Sequence, residues 1–394
     1  MADIPILIAG GGIGGLAAAL ALARKRFATV VCEQARNFGE IGAGIQIAPN
    51  AFHCFDRLGI GDQARFGAVY IEQLRLMDGL SGQEICHIPL GDQFRAHFGN
   101  PYAVVHRADL HSVLLEACQQ SDFVELRTQS EVRDFDQTAN GVSAQLGNGS
   151  QIEGAALIGA DGLHSQIRQA VIADGPPRVS GHTTYRSVIP TDRMPKDLRW
   201  NAATLWAGPK CHIVHYPLKG GDVFNLVVTY HNDVTEAVAG VSVDKEEVRR
   251  GFEHVHPMAQ QIIEHGEDWK LWVLCDRDPN DHWVNGRVTL LGDAAHPMLQ
   301  YFAQGACMAL EDAVVLADCI STENDITTAL LNYRNKRFSR TASVQMGSRL
   351  IGHHIYHPCG GAASMRDQIM ASKTPEDWNR ELDWLYRDTA LPPL

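Results

Sequence analysis

The chain opens Ile4-Pro5-Ile6-Leu7-Ile8-Ala9-Gly10-Gly11-Gly12-Ile13-Gly14-Gly15. An apolar run short enough for a buried strand meets a cluster of glycines, and small and apolar residues at helical spacing follow over 13–26. Gly10, Gly12 and Gly15 fit G-x-G-x-x-G. The first permits a tight turn, the second lets backbone approach a pyrophosphate, and the third lets helix and strand touch. Thr29–Cys32 reads as a second buried strand ending at Glu33, 18 residues beyond Gly15. Strand, helix and strand in about 30 residues make a βαβ unit. Its helix start suits the pyrophosphate of a dinucleotide, and Glu33 can accept from ribose hydroxyls. An ordinary glycine-rich turn is the other reading, and the acid in register weighs against it.

A second signature stands far downstream: Arg287-Val288-Thr289-Leu290-Leu291-Gly292-Asp293-Ala294-Ala295-His296-Pro297. A strand runs into Gly-Asp, so the carboxylate of Asp293 can meet a ribose. The spacing predicts a helix over 305–319. Gly305 and Ala306 at its start would aim free N–H groups and the positive helix end at the N1/O2 edge of a reduced flavin. A dinucleotide gripped from both ends of the chain favours a permanently held FAD over a diffusing nicotinamide.

The 394 residues are 45% apolar, enough for a large core and for two or three domains. The net charge is −12 and no Lys/Arg-rich run exists, which disfavours nucleic acid. Nine cysteines are scattered singly, which argues for free thiols in a reducing, cytoplasmic compartment. The longest apolar stretch, 16–23, is far below the roughly 20 residues of a membrane span, and with neither a basic stretch nor a cleavage site ahead of the first strand, a secretory leader is not expected. The expected fold is α/β: a Rossmann-like FAD-binding domain over 1–75, 100–180 and 270–350. An inserted, mostly antiparallel β-sheet substrate domain takes 76–99 and 181–269, and a helical segment takes 351–394. Helices are expected over 50–58, 108–120 and 326–346. Strands are expected over 151–158, 183–189, 203–206, 211–216 and 223–230.

Several segments together resemble the single-component FAD-dependent aromatic hydroxylases, a family of flavoprotein monooxygenases. The opening fingerprint and Gly292-Asp293 are two of them. Ile158-Gly159-Ala160-Asp161-Gly162-Leu163-His164-Ser165-Gln166-Ile167-Arg168 is similar to the family's Asp-Gly segment. His106-Arg107-Ala108-Asp109-Leu110 is similar to its arginine at a helix start. The resemblance covers most of 1–350. It implies that Asp293 meets the flavin ribitol or ribose and that Arg107 reaches the FAD phosphates. The Asp161 segment would support the pyrophosphate and shape the nicotinamide's path. It further implies NADH or NADPH as a visiting co-substrate, which agrees with the lack of a second glycine fingerprint. O2, a C4a-hydroperoxyflavin, a small aromatic acid and a possible homodimer complete the picture.

The substrate pocket is expected on the antiparallel sheet. In Cys211-His212-Ile213-Val214-His215-Tyr216-Pro217, alternation puts His212, Val214 and Tyr216 on one face and Cys211, Ile213 and His215 on the other. His212 and Tyr216 would form a polar pair over a buried ring; a cross-strand surface pair is the competing reading, and His215 is structural or exposed. Gln300 stands where related hydroxylases usually have proline. His212, Tyr216 and Gln300 together resemble members that hydroxylate 3-hydroxybenzoate para to its hydroxyl, giving gentisate. That resemblance assigns phenol deprotonation to His212 and Gln300 and substrate orientation to Tyr216. A glutamine is no base, so Gln300 would orient and polarise. Salicylate or 6-hydroxynicotinate hydroxylation, or a flavin redox protein without oxygenase activity, are the alternatives. Arg186 is one candidate for the carboxylate anchor. No metal site is expected: His353 and His357 read as a helix end or subunit contact. Glu311-Asp312 reads as helix surface, and Trp200 and Trp206 as core.

Overall fold

The computed structural model describes residues 4–39 and 43–387. The entry into the first strand from Met1 and the last seven residues of the C-terminal segment lie outside them. Ile6–Ala9 is the centre of a six-stranded sheet. It pairs in parallel with Thr29–Cys32 on one side and with Ala156–Gly159 on the other. Val124–Arg127 and Val288–Leu290 extend the sheet outward, also in parallel. Helix Ile13–Arg24 lies on this sheet, with ten of its twelve residues buried, as the near-continuous small and apolar composition requires.

The second layer is an eight-stranded sheet in the order Ala239–Ser242, Lys270–Asp276, Arg178–Pro190, Val223–His231, Cys211–Leu218, Ala202–Gly208, Gln73–Asp78 and Glu84–Pro89. All its pairings are antiparallel except that between Ala202–Gly208 and Gln73–Asp78. The sheet takes in residues from 73, from 178 and to 276, where the sequence placed limits at 76, 181 and 269. Helices Gly305–Thr322 and Ile326–Ile351 pack behind the parallel sheet. The long helix ends in a π-turn, Gly352–Tyr356, before helices Gly360–Ala371 and Pro375–Tyr386. No helix among the described residues is long and apolar enough to cross a membrane.

Two expectations need correction. The strand expected over 151–158 is two strands in different sheets: Gln151–Gly154 closes a three-stranded meander, and Ala156–Gly159 joins the parallel sheet. Between them Ala155 donates its N–H to the Pro5 carbonyl at 2.8 Å, and Gly154 packs against Leu7 with no room for a Cβ. The second correction concerns Glu311 and Asp312, which are fully buried rather than on the helix surface. Arg337 Nη1 donates to Glu311 and its Nε to Asp312, both at 2.6 Å. Arg340 holds Glu311 at 2.7 and 2.8 Å. Burial raises both carboxyls, but for Asp312 the His296 and Arg337 charges win and hold it at about 2. Arg337 and Arg340 likewise hold Glu311 below its ordinary value.

His215 is the buried, structural reading of its two expectations. It is wholly enclosed beside Trp200 and Phe224, and neither ring nitrogen has a partner among the described residues. Burial, aided by Arg75, lowers its pKa to about 3. Trp206 is a core residue as expected; Trp200 stacks on it from the edge of that cluster and is only partly buried.

Replacing Arg337 by leucine leaves two buried carboxylates short of their cation. Denaturant unfolding of the holoprotein should show a loss of about 3–5 kcal/mol; a loss under about 1 kcal/mol would contradict the buried network. The depressed His215 pKa has its own signature. The unfolded chain binds a proton below about 6.5 that the folded chain refuses, so the contribution is full above that pH and fades as pH falls toward about 3. His215→Phe should therefore flatten the fall in unfolding free energy between pH 6.5 and 5 by up to ~1.4 kcal/mol per pH unit.

Candidate active site

The parallel sheet and the eight-stranded sheet face each other across a cleft of about 810 Å³, within the usual range for a small-molecule site. Gly10, Gly12, Glu33, Arg107, Asp161, Asp293, Gly305 and Ala306 all line it. Gly10 has φ +105°, and a Cβ on it would fall 2.4 Å from the Ala160 carbonyl oxygen, so only glycine turns here. Gly15 does not line the cleft. It lets the helix touch the turn, since a Cβ there would lie 1.9 Å from the Gly10 oxygen. Glu33 accepts from the Gly11 and Ala35 N–H groups at 2.8 Å each, which braces the turn from the end of the second strand. Asp161 accepts from the Ser165 hydroxyl at 2.5 Å and the Gln166 N–H at 2.8 Å. Its carboxylate thus organises the start of helix Gln166–Val171. Arg107 begins helix Arg107–Gln119. Burial raises the Asp293 carboxyl, while His296 and Arg107 pull it down.

These residues fit FAD. Helices Ile13–Arg24 and Gly305–Thr322 have no side-chain cap, as several other helices of the chain do not. Both uncapped starts open on the same cleft, so their orphan N–H groups are available to an anionic ligand. Arg107 adds a cation, and Asp293 and Glu33 add acceptors for sugar hydroxyls.

The other end of the cleft is built on strand Cys211–Leu218. His212, Val214 and Tyr216 line the cleft, while Cys211, Ile213 and His215 turn to the far side. His212 and Tyr216 are buried, so the surface-pair reading falls. In register, His212 lies opposite Thr229 and Thr229 opposite Thr184. Gln300 Nε2 donates to Thr229 Oγ1 at 3.2 Å and to Thr184 Oγ1 at 3.4 Å. Its Oε1 accepts from Arg186 Nη2 at 3.0 Å. The fold thus sets His212, Thr229 and Gln300 in one row, although 88 residues separate His212 from Gln300 in the chain. Arg186 lines the cleft, and its buried Nε has no partner among the described residues. Tyr216 packs its ring on Gly44, where a Cβ would fall 2.8 Å from the hydroxyl oxygen.

The C-terminal segment contributes residues that sequence patterns missed. His357, read above as a helix end or subunit contact, follows the π-turn and places Nε2 2.7 Å from His212 Nδ1. Tyr301 and Tyr356 pack edge-on to the His212 ring. Trp378, Leu382 and Tyr386 line the cleft from the last helix. Among the described residues, no group of three or more His, Cys, Asp or Glu is arranged to hold a metal. Burial, reinforced by His357 and His182, lowers the His212 pKa well below its ordinary value, so the ring is neutral near pH 7.

The chain is 56% identical over 381 residues to 3-hydroxybenzoate 6-hydroxylase 1 of Aquipseudomonas alcaligenes, with 97% of each chain covered. It is 47% identical over 386 residues to the 3-hydroxybenzoate 6-hydroxylase of Polaromonas naphthalenivorans, covering 98% of this chain and 96% of that one. The fold superposes on Klebsiella pneumoniae HpxO, solved with FAD and uric acid, at a TM-score of 0.82 and 26% identity over 96% of this chain and 95% of that one. The FAD binding domain family matches residues 3–346. An FAD cradle built from both ends of the chain, capped by a sheet carrying His212 and Tyr216, agrees with that match, and the chain belongs to the FAD-dependent aromatic hydroxylases of the FAD binding domain family.

Proposed function

We propose that this protein hydroxylates 3-hydroxybenzoate at the carbon para to its hydroxyl, giving 2,5-dihydroxybenzoate. NAD(P)H and O2 are consumed, and NAD(P)+ and water are released. The observation that carries the reading is the row His212–Thr229–Gln300 with Tyr216 beside it on a buried cleft wall. No such polar row is needed merely to pack a flavin.

Gly10 and Gly12 with the first helix start, together with Arg107, would hold the FAD phosphates. Glu33 and Asp293 would take sugar or ribitol hydroxyls, and the Asp161 loop would support the pyrophosphate. Gly305 and Ala306 would offer N–H groups to the ring's pyrimidine edge. Bound FAD supplies the electron transfer from nicotinamide and the activation of oxygen. The chain's own side chains prepare the substrate. His212 is neutral, so it can accept the phenolic proton, and an ionised ring is the better nucleophile. Gln300, fixed by Thr184, Thr229 and Arg186, orients and polarises the substrate oxygen. Tyr216 sets the plane of the ring, and Arg186 offers a cation to the carboxylate. The C-terminal helices help close the cleft against water, which oxygen-transfer chemistry requires. With nine free thiols, the protein suits a reducing, cytoplasmic setting.

The purified yellow protein should oxidise NADH or NADPH slowly alone and faster with 3-hydroxybenzoate, releasing 2,5-dihydroxybenzoate identified by chromatography against a standard. Stimulation by salicylate or 6-hydroxynicotinate instead would reassign the substrate. His212→Ala should keep its FAD and lose about 10²–10⁴-fold in hydroxylation rate. Unchanged turnover would remove His212 from the chemistry.

A further inference from the structure

His212 is buried on the wall of the cleft, so a proton taken from the substrate needs a protein group to receive it. Its Nδ1 is hydrogen-bonded to His357 Nε2 at 2.7 Å, across 145 residues of chain. That leaves Nε2 of His212 for a ligand in the cleft. The two rings lie nearly parallel, 27° apart, with centroids at 5.0 Å. His357 is half-buried, and its ring is edge-on to His182, centroids 5.1 Å apart. His182 in turn lies 4.5 Å from His231. His231 Nε2 reaches the exposed carboxylate of Asp233 at 3.1 Å, and its own side chain is 35% exposed. The hydrogen-bonded path therefore runs from His212 to His357, whose half-buried ring reaches toward the surface, while His182 and His231 pack edge-on beside it.

We propose that His357 is the proton outlet of the active site, passing the substrate's phenolic proton from His212 to solvent at its own half-buried ring. The proposal rests on the 3-hydroxybenzoate reading and goes beyond it. His357 touches no substrate, so it is a positioning and relay residue acting through His212. The transfer balances in protons alone. The phenolic O–H bond breaks and its proton goes to His212 Nε2. His212 Nδ1–H passes its proton to His357 Nε2, and His357 Nδ1–H releases one outward. Both imidazoles end neutral, in the opposite tautomer. The product bears both hydroxyls, so a proton returns along the same path and restores the starting tautomers.

The electrostatic surroundings favour neutral carriers. Burial, then His182, His231 and His353, lowers the His357 pKa to about 3. Burial, then His231 and Arg178, lowers that of His182 to about 4, against weaker opposition from Asp233 and Asp276. Tyr301, which bonds His182 Nδ1 at 2.5 Å, and Tyr356, which donates to the Tyr301 carbonyl, complete the facing groups. A neutral His357 beside a neutral His212 can take a proton at one ring nitrogen and release one at the other without holding a charge.

The test uses the FAD-loaded enzyme without NAD(P)H. 3-Hydroxybenzoate is mixed in a stopped-flow cell, and two signals are followed: the phenolate ultraviolet band of the bound substrate, and proton release to a pH indicator in weak buffer. In the native enzyme both should rise together. His357→Phe should keep FAD and substrate affinity but slow both signals by ~10²-fold, and added imidazole should restore much of the rate. His357→Gln can still hold His212 through a hydrogen bond yet cannot relay, so it should be equally slow. Native rates in His357→Gln would reduce His357 to a positional support and overturn the relay, as would native rates in His357→Phe. A slow variant that imidazole fails to speed would overturn it too. A native enzyme that binds 3-hydroxybenzoate but shows no phenolate band removes the relay alone. One that binds none removes the substrate assignment and the relay with it.

Discussion

Arg337 is the centre of the constraint on which the rest of the structure depends. A guanidinium with no exposure to solvent must be matched by charge, and it is matched by Glu311 and Asp312 on the preceding helix. Asp312 also accepts from the Gly292 N–H at 3.0 Å and from His296 at 2.6 Å, so the Gly-Asp loop is tied to the same charge cluster. Glu311 also accepts from Asn50 of helix Pro49–Leu58, and Arg340 reaches the carbonyls of Trp384 and Leu385 in the last helix. Five segments distant in sequence are thereby held in one register. Such a cluster adds little net stability over a well-packed apolar core. Its value here is positional: it sets where Asp293 and the Gly305 helix start stand relative to the first glycine turn.

A second brace acts on the opposite side of the same loop. Arg168 is buried and donates to the carbonyls of Ala294 and Ala295 at 2.9 and 2.7 Å while its other face pairs with Asp174. The Asp-Gly segment and the Gly-Asp segment are therefore one mechanical unit, although 130 residues separate Gly162 from Gly292. The cofactor end of the cleft is rigid because each of its loops is held by a buried charge. The substrate end is held differently. There, strand register does the positioning, with Thr184, Thr229 and His212 abreast on three neighbouring strands. Sheet geometry keeps such neighbours about 5 Å apart, which suits a site where one aromatic ring must be met by several polar groups at once.

The chemistry of the cleft follows from its dryness. Burial keeps His212, His357 and His182 neutral, so the wall presents lone pairs rather than positive charge. The hydrogen bond from His212 to the half-buried His357 gives the buried wall a neutral proton acceptor of its own. The C-terminal helices take part in it, since they seal the cleft and bring His357 against His212.

Much of this was legible in the sequence alone. Gly10 and Gly15 declare a tight turn, because Gly10 takes φ +105° and a Cβ on either would strike backbone close by in the chain or the sheet. Strand alternation placed His212 and Tyr216 on one face and His215 on the other, because a pleated strand has a period of two whatever its neighbours are. What the sequence could not carry is contact between distant side chains. At the split between Gly154 and Ala156 the chain meets Pro5 and Leu7, about 150 residues earlier. Glu311 and Asp312 look like any helical acids until Arg337 is folded against them. His357 looks like a helix end until the π-turn delivers it to His212. Local patterns fix backbone and faces through short-range sterics; the pairing of buried charges and imidazoles is settled only when the whole chain packs, because their partners lie tens to hundreds of residues away.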